Sequence, residues 1–148
     1  MVRMNEPSAP AAGVPESPGT PVTVSPRLVV PDPGRASAFY RDALGTEEAF
    51  RSPPGDDGRP SVVVHLLGGS SFRVSPAVPS WGWLSPDDLG GSAVLLEIET
   101  GDPDAVGERM TAHGAEVVVP IENRPYGLRS GRLRDPFGHL WIITGPPR

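Results

Sequence analysis

Three polar side chains in this sequence are of types suited to acid–base or ion-pair chemistry: Arg27, His65 and Glu97. A histidine titrates near neutral pH, so His65 is a candidate catalytic or metal-binding residue, with a packed or edge histidine as the alternative. Glu97 is a candidate general base if burial raises the pKa of its carboxyl group, and a solvated rim residue otherwise. The guanidinium of Arg27 can bind a carboxylate through paired hydrogen bonds.

Two tryptophans, Trp81 and Trp83, lie in residues 78–91 (VPSWGWLSPDDLGG), a segment that otherwise has the composition of a linker. An indole offers a large rigid face and one N–H donor, so this pair suits stacking on a flat ligand. The alternative is that the two rings close the seam between two halves of the fold. Both interpretations place the tryptophans close to a boundary between modules.

The segment YGLRSGRLRDPFGHLWIIT, residues 126–144, has the pattern of a β-hairpin with its bend at residues 135–138. Gly138 can adopt the positive φ of a tight turn, Pro136 fixes its own φ, and Asp135 can bond to nearby backbone. Alternation places Arg132 and Arg134 on one face and Arg129 on the other. We interpret these arginines as a mainly solvated face, with Arg134 tied to Asp135 or a neighbouring loop. The alternative is that any one of them binds a ligand carboxylate.

The chain repeats one pattern about 70 residues apart. An apolar strand leads to an Asp-Pro pair at Asp32-Pro33 and again at Asp102-Pro103, followed by a helical stretch and a closing glycine. The repeat aligns Arg27 with Glu97, so we expect these two side chains to face each other inside a shared cavity. A partly buried pair of this kind would be costly to break.

Periodicity predicts an α+β fold made of paired βαβββ modules that form a cupped, curved mixed β-sheet with the helices outside. In the fifth strand we expect alternate apolar residues to pack on the second helix, which directs Leu95 and Glu97 towards the cup. The predicted strands cover residues 22–30, 47–51, 61–67, 71–75, 92–99, 115–121, 128–134 and 139–144, and the predicted helices cover residues 34–44 and 104–113.

Composition indicates one soluble domain. The 148 residues are 37% hydrophobic and include no cysteine, no apolar run long enough for a membrane span and no secretory leader, so we expect a cytoplasmic protein with no membrane partner. A net charge of −5 disfavours nucleic acid as a partner. We expect a flexible tail at 1–20 and one domain at 21–145, divided into module one (21–77), a linker (78–91) and module two (92–145).

The hairpin and the repeat together resemble the vicinal oxygen chelate superfamily, which includes glyoxalases, bleomycin-resistance proteins and extradiol dioxygenases. The aromatic-Gly, Gly-Arg and D-P-x-G-H elements occur here in the order found in that superfamily, and the resemblance covers about Val22 to Gly145. It implies paired modules around a cup, with Tyr126 at a place that often lines the cup in relatives.

The same resemblance sets a test for a metal ion, because metal-dependent members hold the ion with His, Gln or Glu side chains from four strands. The corresponding positions fall near Ser25, Leu95 and Ile142, none of which is a useful ligand. The fourth position, in the third strand, falls on His65, and Val64 or Val62 fits it almost as well. At most one of four expected donors is present, so we expect no metal and no cofactor.

We therefore expect a metal-free homodimer that binds a small organic molecule, closest to the bleomycin-resistance branch and possessing an antibiotic-sequestering activity. The expected ligand contacts are Ser25, Arg27, His65, Trp81, Trp83, Leu95, Glu97, Tyr126 and Ile142. One alternative is an enzyme: a metal-dependent lyase or dioxygenase, or a metal-independent isomerase or cyclase that uses Glu97, Arg27 or His65. A second alternative is a structural or partner-binding module with a filled cup.

Overall fold

The computed structural model describes residues 19–148, so the predicted tail lies almost wholly outside the described residues. Two βαβββ modules follow one another, joined by a segment with a 3-10 turn at Pro79–Trp81 and a short helix α2 at Pro86–Leu89. Module one contains β1 Arg27–Val30, α1 Pro33–Leu44, β2 Glu47–Arg51, β3 Val63–Leu67 and β4 Ser70–Pro76, and module two contains β5 Leu95–Glu99, α3 Pro103–Ala112, β6 Glu116–Asn123, β7 Arg129–Arg134 and β8 Leu140–Gly145.

Each module forms its own four-stranded mixed sheet with the same strand order. Sheet one has the order β1-β4-β3-β2 and sheet two the order β5-β8-β7-β6. The first strand of each module pairs in parallel with the last, and the other pairings are antiparallel. The prediction of an α+β fold with paired βαβββ modules is therefore confirmed, and the two sheets are not closed into a barrel.

Both long helices begin at the Asp-Pro pairs that mark the repeat. The Asp32 carboxylate accepts the backbone N–H groups of Gly34 and Arg35, and the Asp102 carboxylate accepts that of Ala105. Proline fits the first helical position because its missing N–H would have no partner there. Gly45 ends α1 at φ 76°, a conformation that favours glycine.

The first strand is shorter than predicted, because it begins at Arg27 and not at Val22. Val22 and Val24 are 99% and 97% exposed, and the bond from the Arg73 N–H to the Pro26 carbonyl closes the ladder with β4. Residues 22–24 find no strand partner within the described chain. Ser25 consequently precedes the sheet and does not belong to it.

The two sheets share one hydrophobic core, which is built from their helix-covered faces. Phe72 of β4 and Trp141 of β8 meet with ring centroids 5.9 Å apart, and the buried ring of Tyr40 on α1 touches both. Side chains alternate across a strand, so the neighbours of Phe72 and Trp141 point away from this core. Each sheet therefore keeps an open face, opposite the one that its helix covers.

The prediction that Arg27 and Glu97 face each other inside a shared cavity is wrong within one chain, because the two residues lie on the open faces of separate sheets. Arg27 lies on the open face of sheet one and Glu97 on that of sheet two, and both side chains are exposed. The repeat aligned the two positions correctly, but the modules join through their helix-covered sides. No ion pair joins Arg27 to Glu97 within residues 19–148.

A buried carboxylate, Asp135, joins the two modules and is only 3% exposed. Its Oδ2 atom accepts the Tyr40 hydroxyl at 2.5 Å and the Trp141 indole N–H at 2.9 Å, and its Oδ1 atom accepts the backbone N–H groups of Phe137 and His139. Burial, and then the charge of Asp135, raise the pKa of Tyr40 well above its usual value, so the phenol stays protonated and donates. A second link runs from His139 Nε2, which donates to the Val29 carbonyl at 2.9 Å.

None of the helices within residues 19–148 has the length and apolar character that a membrane crossing requires.

Asp135→Asn is expected to lower the free energy of unfolding by about 3 kcal/mol, because the amide has one acceptor oxygen where the carboxylate has two and turns its own NH₂ towards buried donors. Urea unfolding followed by circular dichroism measures the loss. Asp42→Asn on the exposed side of α1 is the matched control and should change stability by less than about 0.5 kcal/mol.

If Asp135→Asn does not fold, Tyr40→Phe gives the weaker form of the same test, with an expected loss of about 1 kcal/mol. Equal stability of Tyr40→Phe and the unmodified protein would contradict the role assigned to this carboxylate.

Candidate functional site

The open face of sheet one carries a row of four side chains from four strands. Arg27 of β1 is in register with Arg73 of β4, Arg73 with Val64 of β3, and Val64 with Phe50 of β2. Phe50 is 53% exposed, and Leu66 beside this row is 37% exposed. The face thus combines two guanidiniums with an exposed apolar surface, which is a usual composition for a ligand-binding surface.

The linker tryptophans lie at the Arg27 end of this row. The guanidinium carbon of Arg27 is 5.8 Å from the centre of the Trp83 ring, and the Trp81 and Trp83 rings meet edge to face at 5.1 Å. Two backbone hydrogen bonds between Val78 and Trp83 close the loop that holds them. Trp81 is 68% exposed, so its ring does not fill the seam between the modules.

The open face of sheet two is in register along Glu97 of β5, Ile142 of β8 and Arg132 of β7. Leu95 lies on the same face and is 53% exposed. Glu97 is exposed as well, and no ion pair within the described part of the chain involves it. The burial that a general-base role for Glu97 requires is therefore absent within one chain.

His65 is a core residue and does not reach the open face. Its side chain is fully buried and stacks on Phe72 with ring centroids 5.2 Å apart. Its Nε2 and Nδ1 atoms are both 2.8 Å from hydroxyl oxygens, those of Ser37 and Thr46 respectively. Burial lowers the pKa of His65 to about 4, so the ring is neutral at pH 7. The position of His65 agrees with the alternative of a packed histidine and not with that of a ligand-binding one.

The remaining candidates are spread over other parts of the surface. Ser25 accepts a hydrogen bond from Arg73 Nη1 at 2.5 Å, and Tyr126 lies 67% exposed at the β6–β7 turn. Arg129 forms a two-point ion pair with Asp104 of α3. Arg134 pairs with Glu116 of β6 at 2.7 Å, which corrects the expected tie to Asp135 or a loop.

Sequence reasoning missed Arg73, the residue that makes the open face of sheet one cationic. The alternation Ser71, Phe72, Arg73, Val74, Ser75 shows that Arg73 faces away from the apolar side of its strand. That signal was available, but the register that sets Arg73 beside Arg27 depends on the parallel pairing of β1 with β4.

A family model for the glyoxalase/bleomycin resistance protein/dioxygenase superfamily matches residues 22–143. The chain belongs to this superfamily. An uncharacterised protein of Mycobacterium bovis is 34% identical over 128 residues, which is 84% of each chain. This superfamily includes both enzymes and binding proteins, so membership leaves the reaction open.

Two solved structures have a fold similar to that of this chain. TioX from a Micromonospora species is 26% identical, with a TM-score of 0.66 over 84% of this chain and 99% of its own. The fosfomycin resistance protein FosX from Mesorhizobium loti has a TM-score of 0.62 over 84% of this chain and 91% of its own. At 16% identity FosX is similar to this chain in fold alone.

The residues at the expected metal positions do not fit the ion that the metal-dependent members of the superfamily hold. Ser25, Leu95 and Ile142 offer no suitable donor, and the third-strand position on the open face is Val64, since His65 points into the core. His113 and His139 bond to backbone carbonyls elsewhere. Residues 19–148 contain no group of three His, Cys, Asp or Glu side chains arranged to hold a cation.

His65 should make the protein less stable as the pH falls from about 6.5 to about 4. The unfolded chain takes up a proton at the usual histidine pKa of about 6.5, whereas folded His65 does so only near 4, so stability is lost across that window by at most about 3 kcal/mol. Urea unfolding at stepped pH measures the slope, and His65→Gln should flatten it.

His113→Gln, at an exposed histidine that follows α3, is the control for the loss of a histidine side chain as such. Should His65→Gln not fold, nuclear magnetic resonance on the unmodified protein decides: a His65 ring that titrates near pH 6.5 contradicts the assignment.

Proposed function

We propose that this protein binds a small, flat organic molecule without a metal ion, against the open face of sheet one and the two linker tryptophans. The observation that carries the proposal is the exposed Trp81 ring beside Trp83 and Arg27, at one end of a face whose strands β2 and β3 carry the exposed apolar Phe50 and Leu66. Rigid aromatic rings lose little conformational entropy on binding, so the exposed Trp81 ring, supported by the half-buried Trp83, gives a ready stacking surface.

A binding role of the bleomycin-resistance type, including the sequestering of an antibiotic, agrees with the side chains of the open faces. The superfamily's metal positions hold serine, leucine, isoleucine and valine, which can shape a pocket but cannot bind a cation. His65 is neutral and enclosed in the core. Of the two catalytic candidates only Glu97 remains accessible to a ligand, so the metal-independent enzyme alternative would use Glu97 or Arg27.

A second copy of the chain is the partner that we propose for the open faces. Both sheets present exposed apolar side chains there, Phe50 and Leu66 on one and Leu95 on the other. Open apolar sheet faces of this kind are commonly covered in an oligomer. Sheet one of one protomer against sheet two of its partner would convert two flat surfaces into two clefts.

Trp81→Ala should weaken binding of a flat ligand by about tenfold, which corresponds to about 1.4 kcal/mol, with stability changed by less than about 0.5 kcal/mol. A thermal-shift screen with bleomycin, flavone and acridine identifies a binding probe, and isothermal titration calorimetry measures its affinity for both proteins. Leu89→Ala, at an exposed linker position without an aromatic ring, is the control.

A lower melting temperature with unchanged affinity would assign Trp81 to packing and contradict the proposal. Elemental analysis of the same purified sample tests the metal-free part, because about one equivalent of iron, nickel, manganese or zinc per chain would favour the metal-dependent enzyme.

Light scattering should give a mass twice that of the 15.6 kDa chain. Leu66→Arg and Leu95→Arg should each shift the protein towards the single-chain mass, because a guanidinium on an apolar interface leaves a buried charge. Ala112→Arg, exposed on α3, should leave the dimer intact. A monomer at every concentration of the unmodified protein would remove the second copy from the proposal.

A further inference from the structure

Two arginines on the open face of sheet one stand side by side without a carboxylate. Arg27 and Arg73 are register partners on the parallel strands β1 and β4, so their side chains leave the same face next to each other. The Arg27 guanidinium donates to the Ser75 hydroxyl at 3.5 Å, and that of Arg73 donates to the Ser25 hydroxyl at 2.5 Å. No ion pair within residues 19–148 includes either arginine.

The adjacent guanidiniums of Arg27 and Arg73 destabilise the folded protein when no ligand is bound. Like charges on directly paired strand positions repel each other. The chain has 18 acidic residues for 13 basic ones, so counter-charges were available. Six other arginines do have a carboxylate partner, and they are Arg41, Arg51, Arg124, Arg129, Arg134 and Arg148. Within residues 19–148, four further arginines also lack an ion pair, and they are Arg35, Arg59, Arg109 and Arg132. Arg27 and Arg73 differ from these four because they are direct register partners, and Arg27 lies against the Trp83 ring.

We propose that Arg27 and Arg73 hold the carboxylate of an aromatic ligand whose ring stacks on the Trp81 and Trp83 pair. This inference rests on the proposed function and adds the chemical class of the ligand. Two guanidiniums present several N–H donors to one carboxylate, and the Ser25 and Ser75 hydroxyls limit their orientations. Arg27 lies over the Trp83 ring, so the anion and ring positions are adjacent.

The spacing of the two subsites limits the size of the ligand. The guanidinium carbon of Arg27 is 5.8 Å from the Trp83 ring centre, and Trp83 is 5.1 Å from Trp81. A ring directly bonded to its carboxylate can reach both subsites at once. A long flexible acid would have to order more rotatable bonds to do so, at a cost in entropy.

Calorimetric titration with 2-naphthoate and with uncharged 2-naphthamide tests the inference on the full chain, because the two probes share a ring and differ in charge. Naphthoate should bind at least about tenfold more tightly than naphthamide, and the difference should shrink as salt is raised. Arg73→Gln should abolish the preference, and Arg73→Lys should restore only part of it because lysine lacks the planar fork.

Arg35→Gln is the matched control, since Arg35 is an exposed α1 arginine with no ion pair in the described chain and lies away from the open faces. It removes the same charge and should keep the preference for naphthoate. Arg73 lies on the face of β4 opposite the core residues Phe72 and Val74, so Arg73→Gln is expected to fold, and its urea unfolding curve checks this.

The outcomes separate this inference from the proposed function. Equal affinity for the two probes, with binding of flat ligands still sensitive to Trp81→Ala, overturns the carboxylate site and leaves the stacking site. Binding of neither probe, together with no flat ligand that responds to Trp81→Ala, removes both. If Arg73→Gln weakens the dimer and leaves the preference for naphthoate unchanged, the guanidiniums contribute to the dimer interface and the inference is wrong.

Discussion

The carboxylate of Asp135 is the interaction on which the arrangement of the two modules depends. It is buried, and four donors surround it, one of them the hydroxyl of Tyr40 on the helix of the other module. A buried charge is tolerated when hydrogen bonds satisfy it, and costs several kcal/mol when they are missing. A movement of one module relative to the other would break the hydrogen bond from Tyr40 to Asp135. The hairpin of module two therefore stays fixed against α1.

Fixing the modules through their helix-covered sides determines what each sheet can do. The aromatic residues that could have lined a cavity, Phe72 and Trp141, are used in the shared core instead. The open faces then carry the residues that contribute least to this core, among them Arg27, Arg73, Leu95 and Glu97. We therefore expect a ligand-binding site on those open faces, and a cleft there requires a second protein surface packed against one of them.

The sequence predicted much of the fold and less of the site, for identifiable reasons. Helix starts were accessible because Asp32-Pro33 and Asp102-Pro103 act locally, and β2 was predicted with its observed bounds. The face of His65 was not accessible, because Val63, Val64 and His65 form a run in which polarity does not reveal the buried side. The meeting of the modules depends on tertiary contacts such as Tyr40 with Asp135, 95 residues apart.

The residues that identify the superfamily and the residues proposed to bind a ligand occupy different parts of this structure. The helix caps Asp32 and Asp102 and the hairpin residues Asp135 and Gly138 stabilise helix ends, the turn and the core. Substitutions on the open faces leave those interactions intact, so ligand specificity can change while the fold is kept. A match to the superfamily model therefore reports on the core. The chemistry of this member has to be inferred from the adjacent guanidiniums of Arg27 and Arg73 and from the Trp81 and Trp83 pair beside them.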